Sequence, residues 1–156
     1  MVDQRSQFLN HDRFPCATGL IHAFPDEYGE KLSLLADDYV LFMSHRIHSD
    51  AAAFQACYRK PVKYFGFLGP KQRTEKILSE LLRIDAASLD QIRHRIYAPI
   101  GLNLGSETAE EVALSIVAEL LAVKNNRSPK FLRERNGSIH DRIESKRVPV
   151  AFVCGI

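Results

Sequence analysis

The chain has 156 residues, enough for one globular domain with a buried core. Hydrophobic residues account for 46% and charged residues for 26%, a balance typical of a soluble globular protein. No apolar run approaches the length needed to cross a bilayer, and the polar N-terminus does not fit a signal peptide. We therefore expect a cytoplasmic protein without membrane contact.

The cysteines and the distribution of charge narrow the class further. Cys16, Cys57 and Cys154 are widely spaced without a C-x-x-C pair, which argues against a disulfide framework and against a zinc site. The net charge of +2 is uneven, because the residues from Lys124 onward include eight Lys or Arg and three Asp or Glu. This segment lacks clustered aromatic residues and any nucleic-acid-reading motif. A solvated basic tail is expected there, and no nucleic-acid partner.

Short apolar segments alternate with helical patterns through the first 124 residues. The predicted strands are residues 1–3, 19–23, 39–43 and 63–68, and the predicted helices are residues 27–36, 50–58, 71–83 and 88–94. Ser49 or Asp50 is the expected cap of the second helix. The alternation predicts an α/β fold with a doubly wound, mostly parallel sheet and helices on both faces.

The last part of the chain differs in composition. Residues 125–138 are polar, contain Pro129 and Gly137, and are typical of a linker. Residues 148–153, V-P-V-A-F-V, form an isolated apolar segment in which Pro149 disfavours a central strand. The predicted organisation is a domain at 1–124, followed by a basic linker and an apolar C-terminal segment at 125–156.

Residues suited to ligand contact follow three of the predicted strands, where open α/β sheets bind their ligands. Asp3 ends the first strand, and an acidic residue there hydrogen-bonds ribose hydroxyls in dinucleotide folds. His45 follows Ser44 and precedes Asp50 by five residues, and a neutral imidazole there suits a ligand hydrogen bond or a catalytic base. His45 and His48 lack a third ligand, so no metal site is predicted.

The third strand end is rich in glycine. Gly66 and Gly69 allow close backbone approach, and the helix start after them suits a phosphate with Lys71 or Arg73. The alternative is a plain strand-to-helix turn with solvated basic residues.

The run 98–122, A-P-I-G-L-N-L-G-S-E-T-A-E-E-V-A-L-S-I-V-A-E-L-L-A, joins a glycine-punctuated turn to an amphipathic helix. Gly101 and Gly105 suit backbone angles closed to other residues. Thr108 and Glu111 have the spacing of a capping box. Such a helix start favours an anion, the alternative being a helix that only packs on a sheet. Its predicted apolar face comprises Val112, Ala113, Ile116, Val117, Leu120 and Leu121.

This run resembles the signature of the Rossmann-like domain of the XdhC/CoxI family, roughly a-P-I-G-L-d-I-G-a-x-T-P-E-E-I-A-x-S-I-x-A-E. The main departure is Ala109, where the family usually has Pro, a residue favoured at the first helical position. The resemblance extends from about Val2 to Val123. Three further motifs match it, V-D-Q-R at Asp3, S-H-x-x-x-x-D at His45, and G-F-L-G-P-K-Q-R at 66–73.

The matches are not complete. Ser44 stands where the family motif has Thr, and Pro70 and Lys71 stand where it often shows Ser and Arg. Loss of an Arg fork weakens anion binding at that turn. The family's opening strand and its G-x-G-x-x-[GA] turn, the first βα unit, have no counterpart in this chain.

The resemblance implies an accessory role in maturing a molybdenum-cofactor hydroxylase such as xanthine dehydrogenase, rather than catalysis. It implies a bound molybdopterin-type cofactor, with the hydroxylase apo-enzyme and a cysteine desulfurase as partners. An NAD(P)-binding oxidoreductase-like domain and a truncated oligomeric remnant remain open alternatives. His45 is the candidate catalytic residue. The expected cofactor-binding residues are Asp3, Ser44, His45, Asp50, Gly66, Gly69, Arg73, Gly101 and Gly105.

The missing first βα unit has a physical consequence for the sheet. In the strand order 3-2-1-4-5-6 the first strand is central, so its absence leaves two edges whose backbone groups need partners. We expect a substitute strand from residues 148–153, from a second copy in a homo-oligomer, or from an upstream segment of a longer protein. Truncation after Lys146 is then expected to reduce solubility.

Overall fold

The computed structural model describes residues 1–80 and 86–139, which form short parallel strands joined by helices. The strands are β1 (Val2–Asp3), β2 (Ile21–His22), β3 (Tyr39–Phe42), β4 (Tyr64–Phe67) and β5 (Ile96–Tyr97). The helices are α1 (Tyr28–Lys31), α2 (Ile47–Cys57), α3 (Lys71–Glu80), α4 (Ala86–Ile92) and α5 (Ala109–Lys124). Strands β1 to β4 each lie within a predicted strand, whereas β5 was not predicted. The predicted continuation of α3 over 81–83 lies outside the described residues.

Every strand pair is parallel, which confirms the α/β class. One sheet has the order β3-β4-β5, and a second, two-stranded sheet pairs β1 with β2. The prediction was one doubly wound sheet, and the difference lies between β1 and β3. Within the described residues β1 and β3 are not paired, so the strands form two sheets.

The core of the larger sheet is aromatic. All four residues of β4 are buried, as expected for a central parallel strand covered on both faces. The Phe42 and Phe67 rings stack with centroids 4.5 Å apart, and Phe54 of α2 lies edge-on to Phe67 at 5.3 Å. These contacts attach α2 to the sheet, so the loop between β3 and α2 is held near the carboxyl ends of the strands.

The predicted cap of α2 is wrong. The helix begins at Ile47, and Arg46 occupies the N-cap position without a side-chain cap bond. Ser49 and Asp50 are instead buried in the first turn of the helix. The Asp50 carboxylate accepts a hydrogen bond from the Ser44 backbone N–H at 3.3 Å. Because that bond closes the loop before the helix, Asp50 does not serve as its cap.

The chain divides into two compact units, the first containing Met1–Ile100 and the second beginning at Gly101. In the second unit, the predicted capping box of α5 is present, with the Glu111 N–H donating to Thr108 Oγ1 and the Glu111 carboxylate accepting from the Thr108 N–H. Of the predicted apolar face, Ile116 is buried, whereas Val117 and Leu121 are 49% and 53% exposed. The predicted division at residue 124 stays a prediction, and the apolar segment 148–153 lies outside the described residues.

Candidate functional site

Asp3 ends β1 and is held by the arginine two residues later. The Arg5 N–H donates to Asp3 Oδ1 at 2.9 Å, Arg5 Nε donates to the same oxygen at 3.2 Å, and Arg5 Nη2 donates to Oδ2 at 3.0 Å. Partial burial raises the pKa of Asp3, but the Arg5 hydrogen bonds and charge outweigh it and the pKa lies below its ordinary value. Asp3 is therefore a carboxylate in a fixed orientation.

Arg73 joins the loops that follow β3 and β4. Its Nη2 donates to Asp50 Oδ2 at 2.6 Å and to the Ser44 backbone oxygen at 2.6 Å, and its Nη1 donates to the Leu68 backbone oxygen at 3.2 Å. The Arg73 and Asp50 side chains are only 14% and 5% exposed. Arg73 therefore positions the two loops, and the prediction that it contacts a ligand phosphate stays a prediction.

The Ser44 hydroxyl is used within its own turn. Ser44 Oγ donates to the Arg46 backbone oxygen at 2.9 Å and accepts from the Arg46 N–H at 3.2 Å. His45 lies between these two residues with an exposed side chain. Within the part of the chain that the structure describes, the His45 ring makes no hydrogen bond. Ser44 thus shapes the turn, and His45 is exposed just after the end of β3.

Gly66 in β4 and Gly69 in the turn after it are glycines for different physical reasons. A Cβ on Gly66 would overlap Ile100 Cδ1 and lie 2.7 Å from Tyr64 Cε1, so the residue is small because Ile100 packs across the strand. Gly69 has φ +110°, and a Cβ there would lie 2.9 Å from Cδ of Arg73. Only glycine adopts this φ readily, and the turn brings the backbone directly to the first turn of α3.

The start of α3 supplies unused polar groups. Lys71 is exposed and begins the helix, so its ammonium lies at the positive end of the helix dipole. Thr74 lies in the first turn and is 3% exposed, and its hydroxyl has no hydrogen-bond partner among the described residues. The Gly69 turn and the start of α3 suit an anionic oxygen, whereas the buried Thr74 hydroxyl is not open to a ligand.

The buried Tyr28 is affected by the charges of two carboxylates from different segments of the chain, and no sequence pattern predicted this. Tyr28 of α1 is buried, and burial raises the pKa of its phenol, as do the negative charges of Asp3 and Asp50. Both carboxylates therefore lie within electrostatic reach of one side chain. A single tyrosine in a four-residue helix has no spacing pattern that would identify it as part of a site. The V-D-Q-R motif singled out Asp3, but its pairing with Arg5 was not predicted.

The second unit contains the other two predicted glycines. Gly101 has φ +103°, and a Cβ there would lie 2.5 Å from Ser115 Oγ, so the turn packs tightly on α5. Gly105 has φ +73° with nothing within 4 Å of a Cβ position, which leaves its backbone open to approach. The predicted glycine turn before α5 is therefore present. It packs closely against α5 at Gly101 and is open to solvent space at Gly105.

In the first unit, the hydrogen bonds of Arg73 hold Ser44, Asp50 and the turn at Leu68 together, with His45 next to Ser44 and Gly69 next to Leu68. Asp3 ends a strand of the two-stranded sheet, Gly66 serves packing, and Gly101 and Gly105 belong to the second unit. No three His, Cys, Asp or Glu side chains cluster as a metal site would require within residues 1–80 and 86–139. In the same ranges, no helix has the length and apolarity needed to span a membrane.

Parallel strands joined by helices, with a glycine turn at a helix start, are features of a Rossmann-type fold. Residues 1–120 match the family model described as the XdhC Rossmann domain. The chain belongs to this family. The resemblance seen in the motifs is thereby confirmed.

The alignments with individual relatives include most of this chain but only part of each relative. The chain is 32% identical over 129 residues to the uncharacterized protein YqeB of Escherichia coli, covering 81% of this chain and 23% of YqeB. It is 28% identical over 127 residues to a probable xanthine dehydrogenase subunit of Bacillus subtilis, covering 80% and 35%. A crystal structure described as a xanthine dehydrogenase from Bacillus halodurans matches with TM-score 0.68 and 31% identity, covering 81% of this chain and 35% of that one. The chain therefore spans about a quarter to a third of these relatives.

Proposed function

We propose that this chain is an accessory domain in the maturation of a xanthine dehydrogenase-type enzyme, and that its strand-end site binds a molybdopterin-type cofactor. Membership of the XdhC Rossmann domain family supports the association, as do two relatives whose names mention xanthine dehydrogenase. The observation that carries the proposal is the Arg73–Asp50 pair, which holds two strand-end loops so that His45 and the Gly69 turn border one site.

The donors and acceptors of the site fit the chemistry of such a cofactor. A phosphate ester suits the Gly69 turn, where Lys71 and the first N–H groups of α3 supply positive charge. A pterin ring carries N–H donors, which suit the charged Asp3 carboxylate as an acceptor. The exposed His45 ring can donate or accept at the pterin edge, depending on its tautomer. Bound cofactor supplies the dithiolene sulfurs that hold molybdenum.

The residues of this chain hold and orient the cofactor in this scheme, and none is assigned a bond-breaking step. Asp3 is kept charged by Arg5, so it presents an acceptor throughout the neutral pH range. Delivery to the apo-enzyme, with sulfuration by a cysteine desulfurase, then requires an open site. The exposure of His45 and Lys71 is compatible with such handover.

The experiment is a thermal shift and calorimetric titration of the full chain against molybdopterin, its cytosine dinucleotide form and NAD. A ligand at about one hundred times its dissociation constant stabilises the protein by roughly 2.7 kcal/mol. We expect this for a molybdopterin form, with weaker binding in the Lys71→Ala and His45→Ala variants. His11→Ala removes another exposed imidazole and is expected to bind like the wild type.

The outcomes separate the alternatives. Stabilisation by NAD alone would replace the proposal with a nicotinamide-dependent oxidoreductase function. The absence of any shift would reject cofactor binding. If His11→Ala and His45→Ala weaken binding equally, the cofactor does not bind at the strand ends.

A further inference from the structure

Helix α5 presents a straight stripe of exposed side chains that its fold does not use. Leu114, Val117 and Leu121 are 64%, 49% and 53% exposed, and Glu110 and Lys124 flank them along the same side. The five residues follow one another at intervals of four, three, four and three. This is the spacing of a seam between two packed helices. At a rise of about 1.5 Å per residue the stripe is roughly 21 Å long.

The other side of α5 is already packed within the second unit. Ser115 and Ile116 are its buried residues. The Leu102 N–H donates to the Ser115 backbone oxygen at 3.2 Å, and the Cα of Gly101 packs against the Ser115 side chain. The glycine turn and the exposed stripe therefore lie on different sides of the helix. An occupant of the stripe leaves the turn accessible.

The charges at the two ends of the stripe are opposite. Glu110 and Lys124 are exposed, and neither forms an ion pair or a side-chain hydrogen bond with a described residue. A second α5 laid antiparallel on the stripe brings Glu110 of each copy beside Lys124 of the other. A parallel arrangement would place like charges together at both ends, which is unfavourable. Antiparallel packing also opposes the two helix dipoles favourably.

We propose that α5 is the contact surface of a symmetric antiparallel homodimer, with Val117 on the two-fold axis. The stripe is self-complementary, apolar at its centre and oppositely charged at its ends, which an isologous contact requires. A single helix seam buries less than the roughly 800 Å² per partner of a standard interface. The dimer is therefore reversible, with dissociation in the micromolar range.

The experiment measures the mass of the full chain by sedimentation equilibrium from about 5 to about 500 µM. We expect a monomer–dimer equilibrium that Val117→Glu weakens at least about tenfold, because two carboxylates then meet on the axis. Glu110→Lys and Lys124→Glu are each expected to weaken it as well. An equimolar mixture of these two variants should restore the dimer, since each end of the seam then pairs Lys with Glu.

Matched controls exclude effects of net charge. Glu75→Lys and Lys76→Glu make the same charge changes at exposed positions of α3 and should leave the dimer unchanged. Circular dichroism checks that each variant keeps its helix content, and the mixing rescue holds even where one variant is less stable. A wild-type chain that is monomeric throughout overturns the proposal. So does a dimer insensitive to Val117→Glu, which would assign the contact to another segment such as 148–153, or a mixture that remains monomeric.

Discussion

Replacing Arg73 by Met tests whether the buried ion pair holds the strand-end site together. Arg73 and Asp50 are 14% and 5% exposed, so the variant leaves a carboxylate almost fully buried without its charged partner. Removing one member of such a pair costs about 3–5 kcal/mol. The Ser44 and Leu68 backbone oxygens also lose a donor. Because domains of this size are stable by about 5–15 kcal/mol, the loss is a large fraction of the total.

The assay is urea unfolding followed by circular dichroism, with the free energy of unfolding from linear extrapolation. Arg93→Met is the matched control, since Arg93 pairs with Asp90 at 3.2 Å with side chains 79% and 73% exposed. An exposed pair of this kind contributes about 0–1 kcal/mol. A double variant that adds Asp50→Asn should cost less than the sum of the two single losses. A loss below about 1 kcal/mol for Arg73→Met would refute the positioning role.

Three further predictions concern packing, capping and thiol reactivity. Gly66→Ala should cost about 1–3 kcal/mol through overpacking, because its Cβ would lie 2.7 Å from Tyr64 Cε1; unchanged urea unfolding would contradict this contact. Thr108→Ala should cost about 1 kcal/mol by removing the cap of α5, measured by thermal unfolding, and a neutral result would mean that the capping box does not stabilise the helix. In a Cys154→Ser background at about pH 8, the exposed Cys16 should react rapidly with a thiol reagent, and Cys57 should react only on unfolding. The reason is that burial raises the pKa of Cys57 to about 12. Equal reaction rates for the two thiols would disprove the burial of Cys57.

Local patterns in the sequence were sufficient for several features. Alternating strands and helices indicated the α/β class because periodicity is a property of neighbouring residues. The capping box of Thr108 and Glu111 was visible for the same reason, since its two members are three residues apart. The family of the chain also followed from short motifs. These features depend on residues close together in the chain.

Only the tertiary structure decided what the site residues do. Arg73 was predicted to bind a phosphate, and the fold pairs it with Asp50, 23 positions earlier. The pKa of the Tyr28 phenol is raised by burial and by the charges of Asp3 and Asp50, which lie far from it in the sequence. The exposure of Val117 and Leu121 depends on which side of α5 the rest of its unit covers. Hydrophobic periodicity predicts that a helix has an apolar face, whereas contacts between distant segments determine whether this chain or a partner buries it.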